Sequence, residues 1–308
     1  MSYLATVLVG LSVAVISAMA LNVLVGYAGQ LAVTQGALMG LGAYTVGILS
    51  AKLSVDPLLG MLLGAIVGGL AGLLFAAASL KLVEYDYVLV SLILQMMVIE
   101  VIRRWTDLTG GTSGLSGVAQ PSLARMIARG PVGFATLTLI ILIPFAIAMF
   151  RLGRSPYALA LRGFRESEAG VAALGWNTTR LRLSVGLIAG VGAGLAGGIQ
   201  ASFIGFITPG EYTEFLSILV IVYLLVGGSG NMWGAILGVL IVVSLPELLT
   251  YVDLVSTAAQ APLERIIYGL IIIAFVVLRP QGLLPERRIV SARRRPSRTK
   301  PAPVGAAR

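Results

Sequence analysis

Polar side chains that fall inside otherwise apolar stretches are few and uncharged: Asn22, Gln30, Thr34, Gln35, Ser91, Gln95, Gln200, Tyr223 and Asn231. Amides and hydroxyls donate and accept hydrogen bonds without carrying charge into a low-dielectric medium. Their chemistry is passing hydrogen bonds to a small polar solute; the plainer use of the same groups is hydrogen bonding between helices. Asn22, Gln30, Gln35 and Gln95 stand out as candidates for a translocation path, because they flank glycine-rich breaks or sit in mid-segment. Other chemistries are excluded. The chain has no His and no Cys, which removes the usual proton shuttle, thiolate metal sites and any Ser-His-Asp triad. No G-x-x-x-x-G-K-[ST] phosphate loop occurs, so ATP is not bound by that route. Asp56, Asp86, Asp107 and Asp253 fall at loops or segment ends. Neither paired-aspartate proteolysis nor ion coupling at a membrane midplane is expected. No catalytic residue, metal or cofactor is assigned.

Charge concentrates instead in one interruption, 151–184, with Arg151, Arg154, Arg162, Arg165, Arg180 and Arg182. Its punctuation predicts short helices. Pro156 suits a first helical turn. Ser167 is a candidate N-cap, with Glu168 in the first turn where the helix dipole favours an acid. Gly175 suits the position just past a helix end, and Asn177 caps whatever follows. The stretch reads as two short helices lying across the cytoplasmic mouth of a membrane bundle.

The surrounding elements must be membrane spans. The chain has 308 residues, 57% hydrophobic and 11% charged, against about 25% charged in soluble domains. The reading is an all-α, polytopic helical bundle of about nine spans (eight to ten), some of them broken: 4–21, 30–51, 58–79, 88–102, 132–150, 185–202, 216–228, 232–249 and 263–278. Gly26, Gly29 and the polar residues around them predict a break between the first two, which membrane depth tolerates only against protein or water. Gly60, Gly64, Gly68 and Gly72 form one ridge, and Gly186, Gly190, Gly194 and Gly198 another. Each ridge predicts close helix approach; for 60–72 static packing is the preferred reading and a tightly packed, sliding interface the other. Glu100 precedes Arg103 and Arg104 by three and four residues, which predicts local ion pairing. The loop 103–131 is long enough to be functional or disordered, and Gly227–Asn231 makes a tight turn.

Orientation follows from basic residues. With 151–184 and the C-terminal tail inside, only Lys52, Arg103, Arg104, Arg125, Arg129 and Arg265 of the 22 Lys and Arg lie outside. The N-terminus then lies outside. Ala18-Met19-Ala20 has the form of a cleavage site, but no basic residue precedes the apolar run, so the first span is expected to be retained. The domain reading is a permease domain over 1–278 and a basic cytoplasmic tail over 279–308. The tail's Pro- and Arg-rich composition suggests disorder and attraction to anionic lipid rather than to nucleic acid.

Five stretches in order resemble one family. They are Asn22-Val-Leu-Val-Gly-Tyr-Ala-Gly-Gln30 with Gly40-Leu-Gly-Ala-Tyr44; Leu108 to Gly117; Ala160 to Glu168 with Ala173 to Arg180; Gly227-Gly-Ser-Gly230 with Trp233-Gly234; and Arg279-Pro-Gln-Gly-Leu-Leu284. Together they resemble the M-type (LivM-like) permease subunit of branched-chain amino acid ABC importers, over about residues 10–285. One departure is Gln35-Gly36-Ala37, where the family often carries a Gly-His-Ala-like stretch. The resemblance implies a multi-pass protein of the prokaryotic plasma (inner) membrane, importing branched-chain or similar small amino acids; relatives of the same architecture move urea or short amides. It implies a sister permease subunit, two ATP-binding subunits and an extracytoplasmic solute-binding protein. It also implies that Arg162, Arg165, Glu166, Glu168, Ala169, Gly170, Leu174 and Gly175 couple the chain to the ATPase.

Overall fold

The computed structural model describes residues 2–80, 84–123 and 130–250, together with 269, 273 and 282–284. The expected ninth span and most of the basic tail lie outside the described residues.

Helix α1 (Ser2–Asn22) runs on as a π-helical turn, Val23–Tyr27. After an irregular stretch come α2 (Gln35–Leu53), α3 (Pro57–Ala78) and α4 (Glu84–Arg104). Asp56 starts α3, its Oδ1 accepting from the Leu58 N–H at 2.8 Å, with Pro57 in the first turn. Next are a short α5 (Thr106–Thr109), a 3₁₀ turn (Gly111–Ser113) and strand β1 (Leu115–Ser116), so this part of the long loop is built. Helix α6 (Pro131–Gly153) leads to α7 (Pro156–Glu166), α8 (Glu168–Ala173) and α9 (Thr178–Ile204). Strand β2 (Phe206–Ile207) pairs antiparallel with β1, and α10 (Glu214–Gly227) and α11 (Met232–Thr250) follow. The order matches the expected spans, with α2 starting five residues later than the reading placed it.

Among the described residues, five helical stretches are long and apolar enough to cross a bilayer: Tyr3–Tyr27, α2, α3, α6 and α9. The α10–α11 pair qualifies only together and is bent by 113°. At 1.5 Å per residue α10 covers about 21 Å, short of a hydrocarbon core of about 30 Å. Helix α4 carries an exposed stripe at Leu89, Ile93, Met96 and Met97, and α6 one at Ile140, Ile143 and Ile147. In water such stripes would be costly; facing hydrocarbon they are not. The pair expected at Glu100 is present, with Arg104 Nε 2.7 Å from its Oε1.

The two glycine ridges pack on each other. A Cβ on Gly68 would stand 2.5 Å from the Gly190 carbonyl oxygen, and one on Gly186 2.5 Å from that of Gly72. Gly42 of α2 enters the same seam, 2.8 Å from where a Gly64 Cβ would sit. Three backbones thus touch with no side chain between them, the close approach that small residues permit in membranes.

Contacts sort the chain ends into two groups. Arg182 donates to the carbonyls of Ser79 and Leu80 at the end of α3, and Arg165 to that of Gly26. At the opposite end Lys52 bonds the Asp107 carbonyl, and Ser50 accepts from Ala119 N–H. The six arginines of 151–184 therefore share one end of the bundle with the break after α1.

Candidate functional site

Among the described residues, two discontinuities between helices meet inside the bundle. After the π-helical turn the chain is irregular over 28–34 and enters α2 beside Ser17 of α1: Gln35 Nε2 donates to the Ser17 carbonyl and hydroxyl, both at 3.0 Å. The second discontinuity descends along α2. Ile207 lies against Gly47, Tyr212 against Gly40, and the Thr213 carbonyl against Gly36, before α10 begins.

Where the two helix starts come together, α4 supplies a clasp. Gln95 Oε1 accepts from the Ala37 N–H at 2.6 Å, and its Nε2 donates to the Tyr212 carbonyl at 2.7 Å. Ser217 Oγ accepts from the Gly36 N–H at 2.7 Å and lies 3.4 Å from Gln95 Oε1. The first N–H groups of a helix have no partner within it. Here one amide and one hydroxyl satisfy those of α2 inside the bundle, where an unmet N–H would cost about 1–3 kcal/mol. Gln35 and Gln95 are fully buried, and Gln35 Oε1 has no hydrogen-bond partner.

Asn22 closes a second tie. Its Oδ1 accepts from the Gly230 N–H at 2.9 Å and its Nδ2 lies 3.7 Å from Met232 Sδ, which pins the α10–α11 turn to the end of α1. Gly282–Leu284 return to the same place: Leu283 and Leu284 N–H groups donate to the Val226 and Gly227 carbonyls at 3.1 and 3.0 Å. The packed chain therefore reaches Leu284, past the boundary expected at 278. Gln30 is half-buried, and its Oε1 has no hydrogen-bond partner.

The structure therefore brings Gln35 and Gln95 together at the clasp and sets Asn22 apart at the turn. Sequence reasoning missed Ser17 and Ser217, because a lone serine in an apolar helix carries no pattern. It also gave no site role to Gly26, Tyr27 and Gly29, which receive the arginines described next.

The arginine-bearing stretch folds as its punctuation predicts. Ser155 caps α7, Ser167 caps α8 with its Oγ 3.1 Å from the Gly170 N–H, and Asn177 caps α9 at 3.0 Å. Gly175 has φ +88°, the left-handed conformation that suits glycine past a helix end. Helix α7 buries Ala158, Leu161 and Phe164, and α8 buries only Val171. Each large apolar side chain buried is worth roughly 1.5–3 kcal/mol, so α7 is anchored and α8 is presented. Glu166, Glu168, Ala169, Gly170 and Gly175 are exposed; Leu174 is 79% exposed and Trp176 41%. Glu168 pairs with Arg182 at 2.7 Å.

Arg162 and Arg165 turn the other way. Arg165 Nη1 donates to the Gly26 carbonyl at 2.5 Å, Arg165 lies across Gly29, and Arg162 sits 4.9 Å over the Tyr27 ring. Both grip the break itself. A continuous path thus runs from the exposed tip of α8 through α7 to the π-helical turn, along 28–34, and into the clasp.

A cleft of about 390 Å³ opens between α1, α9 and α10, walled by Val9, Val13, Phe203 and Leu216, with Thr6, Ser17, Gln200 and Tyr223 as its polar points. Gln200 and Tyr223 belong to the neutral polar set read from the sequence.

Comparison with known proteins places this architecture. The family described as "Branched-chain amino acid transport system / permease component" matches residues 3–276. The chain belongs to that family. It is 28% identical over 300 residues to the high-affinity branched-chain amino acid transport system permease protein LivM of Salmonella typhimurium, covering 89% of this chain and 68% of the relative. It is 27% identical to the Escherichia coli LivM over the same shares. An autoinducer 2 import system permease protein, LsrC of Yersinia pestis, is 29% identical over 255 residues, 80% of this chain and 68% of that one. No solved structure matches. The chain is thus a multi-pass transport permease component of the branched-chain amino acid type.

Proposed function

We propose that this chain is one of two membrane subunits of an ATP-driven importer that carries branched-chain or similar small amino acids into a prokaryotic cell. Its partners are a sister permease, two ATP-binding subunits and an extracytoplasmic solute-binding protein, and its home is the plasma (inner) membrane. The observation that carries the energy route is the Arg165–Gly26 bond at 2.5 Å, because it ties an exposed helical tip to the break in a span. The arginine-bearing end faces the cytoplasm on the positive-inside bias.

In this reading Glu166, Glu168, Ala169, Gly170, Leu174 and Gly175 form the face that the ATPase moves, and Arg162 and Arg165 carry the movement inward. The segment 28–34, which carries Gln30 and leads into Gln35, shifts against the clasp at Gln95. Asn22 keeps the α10–α11 turn moving with α1. The mainly apolar cleft beside Ser17, Gln200 and Tyr223 suits an aliphatic side chain with a few hydrogen-bonding points, and the LivM relatives favour amino acids over urea or short amides. A ligand-driven or ATP-driven change of this kind requires differential contact with the two states.

Reconstitution tests the reading. Liposomes holding the two permeases and two ATPases, supplied with the loaded binding protein, are expected to take up leucine only with ATP inside the ATPase-facing compartment. Uptake by this chain alone, without nucleotide or partners, overturns it.

A further inference from the structure

The segment that descends along α2 carries a second set of polar groups, on the side of the clasp away from the arginines. It leaves α9 at Gly205, pairs β2 with β1, and winds through a 3₁₀ turn, Pro209–Tyr212, before α10 begins. Ile207 rests on Gly47 and Tyr212 on Gly40, so residues 208–211 pass the face of α2 that lies between them. Tyr44 stands on that face, one turn beyond Gly40. Glu211 and Tyr44 both act electrostatically on Tyr212, which gathers the three side chains.

Each of the three ends in an oxygen without a partner. Tyr44 is 3% exposed and Tyr212 fully buried, yet neither hydroxyl makes a hydrogen bond, and Glu211 Oε2 is buried without one. They do not satisfy one another either, so each oxygen lies beyond bonding reach of the other two. Buried polar atoms left unmatched are costly, and a folded chain keeps few of them. Among the described residues no lysine or arginine pairs with Glu211.

One carboxylate and two phenol oxygens select a particular guest. A primary ammonium brings one positive charge and three N–H donors, one for each oxygen. An anion is repelled by Glu211. A divalent metal ion calls for more carboxylate or carbonyl ligands, and among the described residues no group of three acidic, His or Cys side chains could hold one. The set also lies next to the moving parts. The Tyr212 carbonyl is the one that Gln95 Nε2 holds at 2.7 Å, and Leu216, four residues on, walls the cleft that suits an aliphatic side chain.

Resting on the importer reading above, we propose that Glu211, Tyr44 and Tyr212 bind the primary ammonium group of the solute as it enters from the extracytoplasmic side. Filling the site changes the contacts of a residue that the clasp already holds, the kind of differential contact that a ligand-driven shift requires.

The test is thermal unfolding of the full chain in detergent, with ligands at millimolar concentration. Leucine and isoamylamine, its decarboxylated analogue, are expected to raise the melting temperature by ligand-linked stabilisation. 4-Methylpentanoate, which has the same carbon frame without the ammonium, is expected to leave it unchanged. Glu211→Gln should abolish both gains, and Tyr44→Phe or Tyr212→Phe should demand several-fold more ligand for the same gain. Each variant removes an atom that has no partner, so the unliganded variants should melt no lower than wild type. A tyrosine variant that melts lower has lost a structural bond and overturns the site. Equal gains with 4-methylpentanoate, gains that survive Glu211→Gln, or no gain with leucine in the wild-type protein overturn it as well. Ammonium chloride is the last arm: a gain equal to that of isoamylamine means that any small cation is accepted, and the solute assignment fails. The importer reading is decided separately, by ATP-dependent leucine uptake in the wild-type assembly, so either can fail without the other.

Discussion

Where α3 crosses α9, backbone meets backbone; where α7 and α8 meet the bundle, long side chains span the gap. The first contact is made by Gly64, Gly68 and Gly72 against Gly186, Gly190 and Gly194, with Gly42 wedged beside them. It has no rotamers to change, so it can only stay closed or come apart. The second contact runs through Arg162, stacked on the Tyr27 ring, and Arg165, bonded to the Gly26 carbonyl, long side chains that can re-aim by rotation. The difference separates a seam without rotamers from a contact made of them. Static packing, the preferred sequence-level expectation for 60–72, fits the seam.

The sharpest way to break this contrast is to put bulk into the seam. Gly190→Leu drives a side chain into the Gly68 carbonyl, and overpacking a closed core costs more than the roughly 1–3 kcal/mol of a single tolerated insertion. Membrane yield and monodispersity by size-exclusion chromatography should collapse; a folded, transporting Gly190→Leu protein would mean the seam is not rigid. Arg165→Ala comes next. It removes a charged hydrogen bond worth about 1.5–3 kcal/mol, and it should leave the protein inserted while solute-stimulated ATP hydrolysis in the assembled transporter falls several-fold. Undiminished stimulation would show that the coupling runs elsewhere. Charge reversal at Arg162, or glycine substitutions across Val171–Leu174, should act in the same direction.

Asn22→Ala should cost about 1–3 kcal/mol by orphaning the Gly230 N–H, read as a lower melting temperature. Asn22→Asp keeps the acceptor and should melt closer to wild type; equal losses would say that the Gly230 bond contributes little. The smallest effect belongs to Glu211, on the loop between α9 and α10. Its Oε2 is buried without a hydrogen-bond partner, and burial pushes its carboxyl above the usual carboxylate range. A raised folded-state pKa means the charged form is penalised only once pH climbs above the unfolded value, near 4.3. Glu211→Gln should therefore raise the melting temperature slightly at pH 8 and leave it unchanged at pH 4. An equal gain at both pH values would remove charge burial as the cause.

Much of this was legible along the chain. Ser167, Glu168, Gly175 and Asn177 occupy the capping roles their types imply, because capping depends on residues within four positions of each other. The break after Asn22 and the turn at Gly227–Asn231 were visible for the same local reason. The partners were not. Nothing in residues 60–72 says that their ridge meets 186–198 rather than another helix, since any smooth ridge can seat against any other. What Arg162 and Arg165 touch was not legible either: Arg165 bonds the Gly26 carbonyl, which the π-helical turn leaves without a helical partner that could compete, and Arg162 stacks on Tyr27. The expected path residues divided likewise: Gln35 and Gln95 share the clasp, while Asn22 serves the α10–α11 turn some distance from it.

Sequence by itself determined that this is a helical membrane protein, the order of its described helices, where the basic loop falls between them and that it has no His or Cys. Those properties follow from composition and from interactions a few residues long. Only the tertiary structure decided which glycine ridges close on each other, that two discontinuities share one clasp, and that the arginines hold the break. Each of these depends on contacts between residues dozens to hundreds of positions apart, whose geometry is set by how all the helices pack at once.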